Sequence, residues 1–235
     1  MRFLLRPSAD RIHRDDGWKK SWYAFVPGQT HFGELTGFAD DIVAGGGGFP
    51  LHPHRDMEIS TIATQGAQLH EDSTGGRQLV DARTVQTMSA GTGIRHAEMN
   101  ASATEPFRSY QIWMYPKAEG SAPRYGSFTF TPEQKRNTFL LALSPDERGG
   151  STRIGQDAFF SLSALDTDLD LSYAMHLPGN GVYVHCAEGR VVVEGHVLNA
   201  GDAIGVYDTA SVAIRAENAS ELILAETPMH RGIHV

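Results

Sequence analysis

The sequence predicts an all-β protein built as two similar barrels in tandem, and three observations carry that reading. Short apolar runs recur along the chain between clusters of Gly, Pro, Asn and Asp, the pattern of many short strands joined by turns. Helical periodicity is scarce, with one weak helical pattern near 156–165. A stretch rich in Pro, Gly and charge at 116–137 (PKAEGSAPRYGSFTFTPEQKRN) separates two β-rich halves, expected as domains 1–120 and 121–235.

The expected strands run in order through 58–64, 110–115, 127–131, 138–143, 182–186, 190–194, 203–207 and 211–215. Between them lie GGGG at 45–48, STGG at 73–76, SAGTG at 89–93, ERGG at 147–150 and NAGD at 199–202. In the second half, VYVHCAEGRVVVEGHVLNAGDAIGVYD places turns at Glu188-Gly189, at Gly195 and at AGD, which reads as a β-meander on one face of a small barrel.

Composition narrows the function classes. With 235 residues, 40% hydrophobic and 20% charged, the chain has the make-up of an ordinary globular protein. The single cysteine, Cys186, excludes an intrachain disulfide framework and a Cys₄ or Cys₂His₂ zinc site. The net charge is −8, and neither half is basic: residues 1–120 hold 12 Lys+Arg against 14 Asp+Glu, the remainder 8 against 14. That balance argues against direct nucleic-acid binding. The opening MRFLLRPSADRIHRDDGW lacks the apolar core of a signal peptide, and no run approaches the length of a membrane span, so a cytoplasmic protein is expected.

Histidine is left in excess, with eleven residues. His52-Pro53-His54 places two imidazoles two residues apart, on one face of one strand. Pro53 between them lacks an N–H, which suits an edge strand. A second pair two apart, His96-Ala97-Glu98, follows the glycine turn at 89–93, which would return its strand beside the first. Three neutral imidazoles and one carboxylate suit Fe, Ni, Mn, Cu or Zn better than Mg or Ca. Four such ligands leave an octahedral ion two open positions for substrate and O₂ or water. His70 in LHEDSTGG reads as a hairpin residue, and His176, His185 and His196 as isolated ones.

At these residues the sequence resembles the pirin family of bicupins. GGGGFPLHPHRDMEI (45–59) and MSAGTGIRHAEMN (88–100) match that family's two metal motifs, supported by HRDDGWKKSWYAF (13–25), QIWMYPK (111–117) and APRY (122–125). The resemblance is strong over 6–126, and the remainder agrees mainly in its β pattern. It implies two tandem cupin barrels of jelly-roll type with few short helices, the first holding metal and the second metal-free. It implies His52, His54, His96 and Glu98 as ligands of one divalent transition metal, iron first, with Ni, Mn, Cu, Co or Zn as alternatives.

In single-motif cupins the carboxylate falls at the position of Glu58; the pirin pattern moves it to Glu98, and alternation keeps Asp56 and Glu58 near the ligand face. Two turns depart from the family pattern, ATQG at 63–66 and VDAR at 80–83. The resemblance further implies a quercetinase-like dioxygenase that opens a flavonol ring with O₂, Glu98 acting as the base. Phe49, Met57, Met88, Trp113 and Tyr115 are expected to line the substrate slot. The alternative implied is a metal-dependent regulatory module that contacts protein partners.

Overall fold

The computed structural model describes residues 1–235 and is almost entirely strand. Its helical segments are three 3₁₀ turns, Ser8–Asp10, Pro132–Lys135 and Arg148–Gly150. No helix is long and apolar enough to cross a membrane.

Each half is a large sheet paired with a four-stranded sheet rather than a closed barrel. In the first half the large sheet runs in the order Arg124–Thr129, Thr84–Ser89, Glu58–Gln65, Phe107–Met114, Leu35–Val43, Lys19–Phe25, Ile12–Asp15. Its companion is Gly48–His54, Ile94–Asn100, Ala67–Asp72, Arg77–Asp81. In the second half the large sheet is Arg2–Arg6, Ala203–Tyr207, Asn180–Glu188, Ser220–Pro228, Phe159–Leu165, Leu140–Ser144, Thr152–Arg153. Its companion is Asp170–Ala174, Ser211–Ala216, Arg190–Val193, His196–Asn199.

Three sequence expectations change here. The pattern near 156–165 is the strand Phe159–Leu165, not a helix: it lies inside a sheet, between Leu140–Ser144 and Ser220–Pro228, and is buried on both faces. In FFSLSAL the two serines are buried along with the apolar residues, so no solvent-facing alternation marks the strand. The supposed meander at 182–207 is not continuous. Asn180–Glu188 pairs with Ala203–Tyr207, while Arg190–Val193 and His196–Asn199 turn off into the four-stranded sheet. Gly189, at φ 85°, makes the change of sheet. The division at 120/121 is crossed by the strands: Arg2–Arg6 pairs with Ala203–Tyr207, Arg124–Thr129 completes the first half's large sheet, and Ile233–His234 pairs with His31–Phe32.

Side-chain alternation distributes the core. From Asn180–Glu188, Val182, Val184 and Cys186 enter the second half's interior, an apolar cluster of 15 buried residues drawn from both of its sheets. Tyr183 points the other way, into a 21-residue cluster with Phe25, Phe38, Tyr110, Ile112, Phe160 and Ile223. That larger cluster lies between the two large sheets, so the halves are joined back to back. The first half has no comparable filling between its own sheets. It holds two groups of four buried apolar residues, around Val43 and Phe107 and around Ile59 and Met88. Between its sheets also lie buried Thr61, Gln68, His70, Gln86, His96 and Glu98.

Candidate metal centre

Gly48–His54 and Ile94–Asn100 are antiparallel neighbours with His96 directly opposite His52 and Ile94 opposite His54. The return of the second strand beside the first, expected from the glycine turn, is thus what the chain does. A register shift between His96 and Glu98 bends the strand there, next to Gly48. A Cβ at Gly48 would sit 2.6 Å from both the Glu98 carbonyl oxygen and the Met99 Cα, so only glycine permits this approach.

The three imidazoles converge. Ring centroids lie 4.4 Å apart for His52 and His96, 4.8 Å for His52 and His54, and 4.9 Å for His54 and His96. One nitrogen from each lies within 4.8 Å of the other two. The His52 Nδ1–H donates to the Pro50 carbonyl at 2.8 Å, which leaves Nε2 as the free lone pair. Both nitrogens of buried His96 lack any hydrogen-bond partner. An orphaned buried imidazole costs stability unless something accepts its lone pair, and a cation at the centre of the trio does so. Burial, and then the neighbouring imidazoles, pull His54 down to about 4 and His96 to about 3. Both are therefore neutral, with lone pairs available to a metal, far below neutral pH. The residues fit a transition metal.

Glu98 is held by amide donors. Gln68 Nε2 donates to Oε1 at 2.9 Å and Gln111 Nε2 to Oε2 at 2.9 Å, with Thr61 Oγ1 at 3.4 Å from Oε1. Trp113 Nε1 donates to Gln111 Oε1, which fixes the direction of that amide. These donors hold the Glu98 carboxyl group in one orientation, in a close group with His96 and not with His52 or His54.

His70 is the residue the sequence reading passed over. It is fully buried, its ring 5.3 Å from His96, and it forms a second close group with His96 and Glu98. Both its nitrogens are engaged, Nε2 with Asp72 at 3.0 Å and Nδ1 accepting from Gln86 at 3.2 Å. Gln86 in turn accepts weakly from Gln68, at 3.4 Å. Asp72, His70, Gln86, Gln68 and Glu98 thus form one chain, in which His70 supports Glu98 and His96 instead of offering a free lone pair. The signal was present as His70-Glu71-Asp72, a third pair two residues apart on one strand.

Asp56 and Glu58 do not follow His54 on the ligand face. Asp56 has φ 46° and ends the strand's alternation. Its carboxylate accepts from the Gly120 N–H, while Glu58 opens the next strand and accepts from Ser89 and the Gly155 N–H. Burial pushes the Glu58 carboxyl up.

The pocket residues divide. Phe49 and Trp113 line a cavity of about 190 Å³ together with Lys19, Tyr23, Asp41 and Gln111. Trp113 stands edge-on to His54 at 5.0 Å, and Phe49 lies 6.2 Å from His52. Met88 is instead core, packed with Ile59, Ala90 and Ile94, and Met57 lies against that cluster. Tyr115 sits under the Arg231 guanidinium, its hydroxyl near Thr36. None of those three faces the cavity.

Residues 7–114 match the Pirin family model, and residues 141–227 match the quercetinase C-terminal cupin domain. The chain is 36% identical to quercetin 2,3-dioxygenase of Escherichia coli (strain K12), over 95% of its own length and 98% of the relative's. The chain belongs to the pirin family. It is 37% identical to a pirin-like protein of Caulobacter vibrioides, over 90% of its length and 94% of that protein's. Among solved structures it matches the bacterial pirin YhhW of Escherichia coli in complex with nickel(II), at TM-score 0.89 and 35% identity, covering 97% of this chain and 99% of that one. The bicupin architecture and the pirin resemblance read from the sequence therefore hold, and the chain is an enzyme of the quercetinase-like kind with a donor set for one divalent metal.

Proposed function

We propose that this protein is a metal-dependent dioxygenase that opens a flavonol ring with O₂ and releases CO. His52, His54, His96 and Glu98 are the ligands in this reading. The observation that carries it is the aromatic cavity whose wall of Phe49, Gln111 and Trp113 adjoins the imidazole trio. A regulatory module acting only through protein contacts calls for no such space. The second half, filled by 15 apolar side chains, is what a plugged cupin looks like.

When bound, the metal supplies Lewis acidity toward the substrate's oxygen and open positions for substrate and O₂. The chain's own residues do the rest. Glu98 takes the proton of the flavonol 3-hydroxyl, its carboxylate aimed by Gln68 and Gln111. Trp113 and Phe49 flank the flat ring and exclude water from it. Iron is our first choice of metal; the nickel in YhhW belongs to that protein, and Mn, Cu, Co and Zn suit the same donors.

Metal-reconstituted protein should bleach quercetin absorbance only when O₂ is present, with one O₂ consumed and one CO released per flavonol. The Glu98→Ala variant should lose at least about 100-fold in kcat, within the range for a general base. Absence of turnover with Fe, Ni, Mn, Cu and Co in turn overturns the enzymatic reading.

A further inference from the structure

The cavity beside the imidazole trio contains a cation, Lys19, with no role in the proposed chemistry. Lys19 and Lys20 are adjacent on the strand Lys19–Phe25, and alternation sends them to opposite faces. Lys20 is exposed and pairs with Asp15 at 3.7 Å. Lys19 is more than nine-tenths buried and lines the cavity. Its ammonium forms no ion pair. It donates one hydrogen bond, to the Tyr23 hydroxyl at 3.3 Å, and lies 4.9 Å from the Phe49 ring centroid, 5.8 Å from Trp18 and 5.9 Å from Tyr23.

An ammonium has three N–H donors, and burying one without a carboxylate partner is costly. Aromatic faces offset part of that cost, since their negative quadrupole attracts a cation, but they accept no strong hydrogen bond. Two donors are left for whatever enters the cavity. The other charged group buried there, Asp41, accepts from Ser21 Oγ; burial pushes its carboxyl upward against that hydrogen bond and the pull of the Lys19 charge, which lies beyond ion-pair distance. Arg14 lines the same cavity from its exposed side, 5.4 Å from the Tyr23 ring. Flat aromatic walls, one desolvated cation and a second cation at the rim together describe a site for an aromatic anion.

We propose that Lys19 is a specificity-determining residue that binds an anionic oxygen, a phenolate or an aryl carboxylate, on an aromatic ligand held between Phe49, Tyr23 and Trp113. The assignment rests on the aromatic-substrate reading above and narrows it: a flat ring alone is not enough, and the ligand must carry negative charge. A lysine here discriminates because the same burial that makes its ammonium costly makes a matching anion worth more than it would be in water.

The test uses full-length, metal-free protein and equilibrium dialysis at mildly alkaline pH. Three probes are compared: quercetin, 1-naphthoate, and the unhydroxylated flavone. Wild-type protein should bind the two anions and hold flavone more weakly. Lys19→Met, close in length but uncharged, should weaken quercetin and 1-naphthoate by about tenfold or more, the loss expected for a charge-assisted contact, and leave flavone within about twofold. Lys20→Met should change none of them. Unaltered thermal unfolding and full nickel uptake by Lys19→Met would show the fold and the metal site intact.

Equal binding of the anions by wild type and Lys19→Met overturns the proposal, as does an equal loss for flavone, which would mark Lys19 as packing only. Failure of all three probes to bind wild type overturns it too. Loss of 1-naphthoate alone would assign Lys19 to carboxylates, and loss of quercetin alone to phenolates. Because the readout is binding without metal, failed quercetin turnover would leave this result standing. Conversely, turnover with Lys19-independent binding would remove this inference and keep the dioxygenase.

Discussion

At the scale of single residues, free lone pairs decide which histidines matter. His96 is buried with both nitrogens unpartnered, whereas His70, equally buried, has both engaged. His70 therefore acts through its neighbours, packing on His96 and tensioning the amide chain to Glu98. Replacing it with Gln should leave one metal bound at saturation but weaken affinity by about 10–100-fold, the usual cost of losing a partner that orients ligands; competition with a chromophoric chelator measures this, and unchanged affinity would reduce His70 to packing. Cys186→Ser should leave metal content unchanged, since the thiol is buried in the second half and burial pushes it up to about 12. The convergence of His52 and His54 was legible because residues two apart on a strand share a face, a rule that needs no tertiary knowledge. Lys19 was not. In KKSWYAF either lysine could have faced solvent, and only the pairing of that strand with Leu35–Val43 decides which is buried.

At the scale of elements, the N-terminal strand is fastened to the far half of the chain. Arg2–Arg6 pairs with Ala203–Tyr207, and just beyond it the Ser8 N–H donates to Asp202 Oδ1 at 2.8 Å while the Asn199 N–H donates to Oδ2 at 2.9 Å. Burial raises the Asp202 pKa, but these donors outweigh it and hold the group below its ordinary 3.8. A carboxylate with a lowered folded pKa stabilises above its unfolded value, and the contribution is lost as pH falls through the folded one. Asp202→Asn should thus cost about 1–2 kcal/mol at neutral pH and progressively less below about pH 4. Urea unfolding of both proteins across that range checks the sign; a difference that grows on acidification would contradict it. Most strands were readable from alternation between turn signals. Phe159–Leu165 escaped because it is buried on both faces, and Arg2–Arg6 because its partner lies about two hundred residues away, where no local pattern reaches.

At the scale of the whole molecule, the largest core belongs to neither half. Phe25, Phe38 and Tyr110 from one sheet meet Tyr183, Phe160 and Ile223 from the other, with Tyr183 ring centroids 5.1 Å from Phe25 and 5.2 Å from Phe38. Arg11 crosses the same seam, reaching Asp40 on one side and His185 and the Gly201 carbonyl on the other. The halves should therefore unfold together. All three tryptophans, Trp18, Trp22 and Trp113, are in the first half, so fluorescence reports that half alone. Phe160→Ala, a change in the second half, should cost about 3–5 kcal/mol and lower the fluorescence and circular-dichroism midpoints equally. Separate transitions would mean independent halves. Joining the large sheets back to back relieves the first half of building its own full core, and the interior thereby freed holds the imidazoles, Glu98 and the aromatic cavity.

On the proposed reading, His52, His54, His96 and Glu98 make one metal site. Elemental analysis after nickel or iron loading and exhaustive dialysis tests it most directly. Wild-type protein should hold one metal per chain and the His52→Ala, His54→Ala double variant none, with that variant still folded by circular dichroism. A folded double variant that retains a full equivalent of metal would contradict it.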